Sequence, residues 1–381
     1  MPPPPPTTPP QHVVHMLLQS GMLTDNPAAA RLFIVPQFAT HETHFCAFNE
    51  RNAAIGSDIV NCSAHVCKHY LMPIASAVST SPWFHRHRGS DHVMVFPWDW
   101  GYWLFGRPGC TFTSWLEDSQ LLVLQYLDMK GGPLENRTVL MPVPQSAPLQ
   151  SAAVMRNVLM QGQAAGESMP ADGSERVSSP ANQGCDSAPS RYLATFRGTV
   201  WPDRSYSGGI RQDLLALYAD SSTAQADEIL FVAGHTTPEG YAAEIRDTRF
   251  CLCPPGSSSW SQRIYDLVAA GCPLVFFDSA LKGPPARALP NVIPWDDFTI
   301  TIPIGHHMHV AKILKAVPFE RICAMRRAVS IAAQYLLWSV APLNVVTLLM
   351  SELLAKSQVN IANLANTTGS GGGVSRGVRP Y

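Results

Sequence analysis

A strand, a polar turn and the start of a helix are predicted in succession along Phe250-Cys-Leu-Cys-Pro-Pro-Gly-Ser-Ser-Ser-Trp-Ser-Gln-Arg263. The apolar run ends at Cys253, and the two prolines after it turn the chain. Gly256 and three serines then lead into a helical pattern whose stop signal is Gly271. In a parallel sheet such a turn leaves unpaired backbone N–H groups and the positive end of a helix dipole at the carboxyl edge, where an anion binds.

This segment supplies candidate ligands for a nucleotide. Arg263 lies in the first helical turn and suits a bidentate, charge-assisted contact with a phosphate. Asp266 lies three residues further along the same helical face, and its carboxylate suits the hydroxyls of a ribose. The alternative interpretation is an ordinary strand–helix unit with a capped helix and a surface arginine. The turn residues of the candidate site are Gly256, Ser257, Ser258 and Ser259.

The same alternation of strands and helices extends along the chain in both directions. Apolar runs predict the strands Arg31–Pro36, His92–Pro97, Leu121–Leu127, Val139–Val143, Tyr192–Phe196, Ile229–Ala233 and Leu274–Phe277. Helical patterns are found over Cys62–Val78, Ile210–Tyr218, Ser261–Ala270 and, apart from its prolines, His309–Leu354. Such alternation predicts an α/β protein built around mainly parallel sheets.

Shifts in composition divide the chain into six parts. The stretch 150–190 turns abruptly to Ser, Ala, Gly, Gln and Pro, and it separates two α/β series. We therefore expect two lobes with a cleft between them. The predicted parts are a proline-rich lead-in (1–21), an N-terminal lobe (22–149), a linker (150–190), a C-terminal lobe (191–300), C-terminal helices (301–357) and a disordered tail (358–381).

Composition excludes several classes of protein. The 381 residues carry 27 Lys+Arg and 28 Asp+Glu, so neither a nucleic acid nor an anionic membrane surface is predicted as a partner. The 46% of hydrophobic residues exclude wholesale disorder. No run approaches the roughly 20 apolar residues of a membrane span, and the proline tract at the start lacks the apolar segment of a signal peptide.

Cysteine and histidine spacing predicts no metal site. The nine cysteines form no CxxC pair, so we expect neither a disulfide framework nor a zinc ribbon. His65 and His69 share a helical face, with Cys46, His41 and His44 upstream, but their spacing matches no known metal motif.

Short motifs lie in a fixed order along residues 22–338. They include Leu23-Thr-Asp-Asn-Pro-Ala-Ala-Ala-Arg-Leu-Phe-Ile-Val-Pro36, Gly89-Ser-Asp-His92, Asp99-Trp-Gly101, Arg191-Tyr-Leu-Ala-Thr-Phe-Arg-Gly198, Arg211, Phe250-Cys-Leu-Cys-Pro254, Ser259-Trp-Ser-Gln-Arg263, Ala270-Gly-Cys272 and Trp295-Asp-Asp-Phe298. Each motif is short, but the ordered series is specific. By this series the chain resembles the exostosin family, glycosyltransferase family 47.

The resemblance implies a GT-B-like fold of two Rossmann-like lobes that transfers a sugar with inversion at the anomeric carbon. The C-terminal lobe would hold a nucleoside-diphosphate sugar and the N-terminal lobe a glycan acceptor. No further cofactor and no metal are implied. The family also implies work in the Golgi and a hetero- or homodimer with other glycosyltransferases.

Two functional roles need residues beyond the helix start. A departing diphosphate needs a second cation, and the candidates are Arg197, which ends a strand, and Arg211, which opens a helix. Each arginine equally suits a structural ion pair. An inverting transfer also needs a base on the acceptor hydroxyl. Our first choice is Asp99, just beyond a predicted strand, and the alternative for this residue is an Asx turn with Trp100-Gly101. The other candidates are Asp91 and His92 at that strand's start.

Departures from the family pattern predict an alternative function. The chain has Gly271-Cys-Pro-Leu-Val275 where the family has Gly-Cys-Ile-Pro-Val, and the segment 282–289 also differs. The alternative is therefore a catalytically silent, exostosin-like glycan-binding or assembly subunit.

Family members also carry a membrane anchor and a first strand ahead of the stretch matching Met22, so we expect a truncated chain or an N-terminal lobe without its first strand. Without an anchor, the three sequons at Asn61, Asn136 and Asn366 are expected to stay unglycosylated in the cytosol.

Overall fold

The computed structural model describes residues 16, 20–37, 39, 42–43, 46, 59–96, 101–106, 110–126, 133–143, 190–338 and 341–369. Its strands are β1 (Phe33–Val35), β2 (His92–Phe96), β3 (Leu122–Gln125), β4 (Thr138–Leu140), β5 (Tyr192–Gly198), β6 (Ile229–Ala233), β7 (Thr248–Cys253), β8 (Leu274–Phe277) and β9 (Thr299–Ile302). Its α-helices are α1 (Ile59–Val66), α2 (Met72–Ser79), α3 (Pro82–Arg86), α4 (Phe112–Asp118), α5 (Ile210–Tyr218), α6 (Ser221–Asp227), α7 (Pro238–Arg246), α8 (Gln262–Ala269), α9 (Val310–Lys315), α10 (Phe319–Leu336) and α11 (Pro342–Gly369).

The described strands form two parallel sheets. The N-terminal sheet has the order β1-β2-β3-β4, and the C-terminal sheet has the order β6-β5-β7-β8-β9. Every pair is parallel, because helices and loops return the chain to the starting edge between strands. This architecture confirms the predicted α/β class and is consistent with the GT-B-like arrangement of two lobes.

The carboxyl edge of the N-terminal sheet faces the C-terminal lobe. Leu289 N–H donates to the carbonyl of Leu140, at the end of β4, over 3.2 Å. Tyr126, which follows β3, packs its ring 5.0 Å from that of Trp260. One hydrophobic cluster contains buried residues of both lobes. The contacts therefore place the end of β3 beside the loop that precedes α8, and the end of β4 beside Leu289 in the segment after β8.

The C-terminal helices bring the chain back to the N-terminal lobe. Helix α10 packs against α8, and α11 packs against β3 and β4. Trp338, between these two helices, donates its indole N–H to the carbonyl of Pro142 over 2.9 Å. No helix among the described residues is both long enough and apolar enough to cross a bilayer.

Several element predictions need correction. The predicted tail from residue 358 is wrong as far as Gly369, because α11 continues to that residue. The predicted single helix Cys62–Val78 consists of α1, a π-helical turn at Cys67–Leu71, and α2. Strand β9 and helices α3, α4, α6 and α7 were not predicted. All of these elements are short, between four and nine residues, and side-chain caps from Asp220 and Thr237 start α6 and α7. The predicted linker lies outside the described residues up to residue 189.

The expectation that the cysteines form no disulfide framework is wrong. Cys46 bonds Cys62, Cys67 bonds Cys110, and Cys251 bonds Cys272. These partners are 16, 43 and 21 residues apart in the chain, and the fold brings each pair of Cα atoms to within 5.8–6.0 Å. Local spacing carries no signal for such pairs, because tertiary packing alone makes them neighbours.

Candidate functional site

The candidate site lies at the topological switch point of the C-terminal sheet, where consecutive strands are placed on opposite sides of β5. From β5 the chain adds β6 on one side and then β7 on the other. Ligands of open α/β sheets bind in the crevice outside the carboxyl ends of two such strands. Here the crevice is bounded by Thr199, just after β5, and by Pro254, just after β7.

Arg211 spans this crevice. Its guanidinium donates from Nη1 to the carbonyl of Thr199 (2.7 Å) and from Nη2 to the carbonyl of Pro254 (3.1 Å). The residue is only 6% exposed, and its Nε has no hydrogen-bond partner among the described residues. A Cβ at Gly256 would lie 3.1 Å from Nη2, so the glycine allows the backbone to approach the guanidinium closely.

Arg211 remains a cation at neutral pH despite its burial. Burial lowers the pKa of Arg211 to about 10, the nearby Arg263 acts in the same direction, and Tyr206 opposes both. A cation that is buried without a carboxylate is unfavourable unless a ligand compensates it. Its position therefore favours a bound anion.

Arg263 approaches the same place from the start of α8. The N-cap Ser261 accepts a hydrogen bond from the Arg263 backbone N–H through its Oγ (3.3 Å), which fixes the first turn of the helix. The guanidinium carbon lies 4.6 Å from the centre of the Phe196 ring, and Nη1 donates to Tyr241 Oη over 3.0 Å. The Arg211 guanidinium lies 5.2 Å from the same Phe196 ring.

The two guanidinium groups form a positive cluster. No carboxylate of the described residues makes an ion pair with Arg211 or Arg263. Like charges this close repel each other, which is why Arg263 lowers the pKa of Arg211. A diphosphate presents two negative groups with the planar, bidentate geometry that guanidinium prefers. The cluster can therefore hold a diphosphate.

The loop between Gly256 and Ser259 is held from both sides. Gly256 N–H donates to the carbonyl of Ser258 (3.2 Å), and the carbonyl of Ser259 accepts from Ala286 N–H (3.2 Å). The carbonyl of Ser257 accepts from Lys282 Nζ over 2.9 Å. Lys282 thus adds a third cation beside the loop, within the segment whose sequence departs from the family pattern.

Arg197 does not belong to the positive cluster. Its Nε donates to both carboxylate oxygens of Glu244, over 3.0 and 2.8 Å, and Nη2 makes a further contact. These hydrogen bonds raise the pKa of Arg197 above its usual value. The structure therefore separates the two arginines that the sequence left equivalent, because Glu244 neutralises Arg197 while Arg211 has no carboxylate partner among the described residues.

Asp266 lies in α8, three residues after Arg263. It is 8% exposed, and its charge contributes to raising the pKa of Tyr241, which burial raises most. Asp266 therefore lies near Tyr241, the residue that accepts a hydrogen bond from Arg263. Its role as a ligand of ribose stays a prediction.

Asp91 and His92 lie away from this cleft. They occupy the start of β2, whereas the carboxyl edge of that sheet faces the C-terminal lobe. Asp91 is 1% exposed, forms an ion pair with Arg86 Nη2 (2.7 Å) and contacts His92 Nδ1 (2.8 Å). The His92 ring stacks on Phe33 with centroids 4.7 Å apart. This placement does not fit the predicted role of either residue as the base, because both are held in a buried network at the opposite edge of the sheet.

The Asp91 network predicts a pH-dependent stability. Burial raises the pKa of Asp91, but hydrogen bonds with His92 and Arg86 together lower it by more than burial raises it. The folded-state pKa therefore lies below the usual value. The resulting stabilisation is present above about pH 4 and is lost as the pH falls through the folded-state pKa. We expect Asp91→Asn to lower the free energy of unfolding by about 1 to 3 kcal/mol at neutral pH. In urea titrations this deficit should shrink as the pH falls below about 4 and through the folded-state pKa of Asp91. A deficit that is constant with pH would contradict this account.

Two other predictions from the sequence concern the general base Asp99 and the histidine pair His65 and His69. Asp99, the first choice for the base, lies outside the described residues. The histidine pair His65 and His69 has ring centroids 4.5 Å apart, but Cys46 forms a disulfide and is not available as a thiolate ligand. Among the described residues no group of three metal-binding side chains converges.

Sequence reasoning missed the residues that hold the arginines in place. Tyr241 and Glu244 lie on α7, and Tyr241 is 22 residues before Arg263 in the chain. The one available signal was the Thr237-Pro238 pair, a helix N-cap followed by proline at the first helical position. Lys282 and Tyr206 gave no signal at all, because Lys282 lies in a loop and Tyr206 ends a 3₁₀ turn of only three residues, Arg204–Tyr206.

The chain matches known proteins over most of its length. A family model, the exostosin GT47 domain, matches residues 10–317. Two similar proteins of Arabidopsis thaliana are probable glucuronoxylan glucuronosyltransferases. The first is 22% identical, and the match covers 82% of this chain and 58% of that protein. The second is 24% identical, and the match covers 83% of this chain and 62% of that protein. A third, from the same plant, is a probable beta-1,4-xylosyltransferase, 24% identical over 83% of this chain and 66% of that protein. The chain thus spans about three fifths of the length of these curated relatives.

Proposed function

This chain belongs to the exostosin GT47 family, and we propose that it transfers a sugar from a nucleoside-diphosphate sugar to a polysaccharide acceptor with inversion at the anomeric carbon. The observation that carries the proposal is a pair of guanidinium groups, Arg211 and Arg263, which lie at the carboxyl ends of β5 and β7 and form no ion pair with a carboxylate in the described part of the chain. The names of its relatives, which include glucuronosyl- and xylosyltransferases, support a glycan acceptor.

The positive cluster accounts for the leaving-group chemistry. As the bond between the anomeric carbon and the diphosphate breaks, negative charge grows on the diphosphate oxygens. Arg211 and Arg263 lie in a partly buried crevice, where fixed cations stabilise such charge more strongly than in water. The N-terminus of α8 adds its dipole to the same place. We therefore assign the stabilisation of the leaving group to protein groups, without a metal ion.

The base must come from the other lobe. In an inverting transfer the acceptor oxygen attacks from the face opposite the departing diphosphate, so its proton passes to a group on the acceptor side. Of the three sequence candidates, Asp91 and His92 lie at the far edge of the N-terminal sheet. Asp99 follows the carboxyl end of β2 by three residues, and the proposal assigns the base to it.

The disulfides support a lumenal compartment. Disulfides persist in the secretory pathway and are rare in the cytosol, where thiols are kept reduced. Three described disulfides, two in the N-terminal lobe and one in the C-terminal lobe, fit the Golgi lumen proposed for this chain. Association with other glycosyltransferases is part of the same proposal.

Calorimetry followed by product analysis tests the function. UDP and GDP are titrated into the protein with EDTA and again with Mg²⁺, and the transfer assay then pairs nucleotide sugars with xylan and other oligosaccharides. We expect one of the two nucleoside diphosphates to bind as tightly in EDTA as in Mg²⁺. We also expect NMR of the transfer product to show an inverted anomeric centre. Binding without transfer from any donor would identify a catalytically silent subunit. Binding of neither nucleotide would overturn the proposed function.

A further inference from the structure

Helix α7 presents two side chains to two different arginines. Tyr241 and Glu244 are three residues apart and so share one helical face. Glu244 holds Arg197 through its carboxylate, whereas Tyr241 accepts the hydrogen bond from Arg263 through a hydroxyl oxygen. The same helix face therefore neutralises one arginine and leaves the charge of the other intact.

We propose that Tyr241 is a positioning residue for Arg263 in the diphosphate site. This inference rests on the proposed function, because it assumes that Arg263 contacts the donor diphosphate. The hydrogen bond to Tyr241 Oη is the only one that the structure gives the Arg263 guanidinium within the described residues. The Tyr241 ring also lies beside the guanidinium carbon, with its centre 5.5 Å away.

The geometry restricts Arg263 on its remaining sides. The Phe196 ring lies 4.6 Å from the guanidinium carbon. A Cβ at Gly198 would lie 2.8 Å from Nη2, so β5 leaves room for the guanidinium only because a glycine stands there. The Phe196 ring, the Tyr241 ring and Gly198 thus lie around the guanidinium, and the Tyr241 hydroxyl binds its Nη1.

A phenol suits this task better than a carboxylate would. An arginine side chain has many rotamers, and ordering it only when the ligand binds reduces affinity. A neutral hydrogen-bond acceptor orders the guanidinium beforehand without cancelling its charge. Burial raises the pKa of Tyr241 to about 12, so the phenol stays neutral in the physiological range. Glu244 shows the contrasting outcome, because its carboxylate neutralises Arg197.

A double-mutant cycle tests the assignment. Affinity for UDP or GDP, whichever the wild-type protein binds, is measured by calorimetry for Tyr241→Phe, Arg263→Ala and the double variant. Tyr241→Phe keeps the ring and removes the hydroxyl, so we expect affinity to fall about three- to tenfold. In the Arg263→Ala background the same change should have no further effect. Tyr218→Phe, which removes a buried hydroxyl at the last residue of α5, is the matched control and should bind like wild type.

The outcomes separate this inference from the function it rests on. Unchanged affinity in Tyr241→Phe, or an equal loss with and without Arg263, would overturn the positioning role while leaving the proposed function standing. Melting temperatures identify any loss that comes from a destabilised fold. Wild-type affinity in Arg263→Ala, or no nucleotide binding by the wild-type protein, would overturn both the site and the role of Tyr241.

Discussion

Replacing Arg263 with alanine is expected to weaken nucleoside diphosphate binding by about ten- to a hundredfold. A hydrogen bond to a charged group contributes about 1.5 to 3 kcal/mol, and each 1.4 kcal/mol is about a factor of ten in affinity. Arg263 contacts Phe196 and Tyr241 and makes no ion pair with a described carboxylate, so its charge is available to a ligand. Titration calorimetry with the purified chain measures the change.

Arg197→Ala is the matched control for this prediction. This variant also removes an arginine side chain, here near the end of β5, but Glu244 already forms an ion pair with that guanidinium. We expect nearly wild-type affinity and a lower melting temperature, because the variant leaves the Glu244 carboxylate without its cation. Equal losses of affinity in the two variants would show that net charge near the sheet edge, and not the geometry of Arg263, governs binding.

Asp99→Asn is expected to lower the rate of sugar transfer by about 10²- to 10⁴-fold, which is the usual contribution of a general base. Asparagine keeps the size and most hydrogen bonds of aspartate but cannot accept the proton. Because the proposed diphosphate site is built from the C-terminal lobe, donor affinity should stay close to that of wild type. Transfer rate, donor affinity and melting temperature are compared for the purified variant.

Asp91→Asn separates this role from a structural one. Since Asp91 is buried against Arg86 and His92 at the far edge of the sheet, its replacement should lower stability while transfer by the folded fraction continues. Asparagine also serves a tight turn about as well as aspartate. Retained transfer in Asp99→Asn at wild-type stability would therefore show that Asp99 is a turn residue and that another group is the base.

The placement of the loop between β7 and α8 was predictable because it depends on local chemistry. Helix α5 and strands β6 and β8 coincide with the predicted Ile210–Tyr218, Ile229–Ala233 and Leu274–Phe277. The prediction of α8 from Ser261 to Ala270 includes its two caps. Apolar periodicity, the proline pair and the serine cap all act within a few residues, so the sequence carries them directly.

The charge state of the site depended on residues far apart in the chain. Arg197 and Arg211 look equivalent along the sequence, and the carboxylate that distinguishes them is Glu244, 47 residues from Arg197. Asp91 and Asp99 flank the same strand, but in a parallel sheet its start and its end lie at opposite edges. The disulfides follow the same rule, since a pairing is set by which strands and helices pack together.

Local patterns of hydrophobic, turn and cap residues were thus enough to establish the α/β class, the strand–loop–helix unit and the presence of cations beside it. Only the packed molecule showed which cations lack a carboxylate, which acidic residues lie away from the cleft and which cysteines pair. The physical reason is the distance along the chain between the residues that interact. A strand or a helix start is stabilised by neighbours in the sequence, whereas an ion pair, a disulfide or a buried charge depends on partners that tertiary contacts bring together.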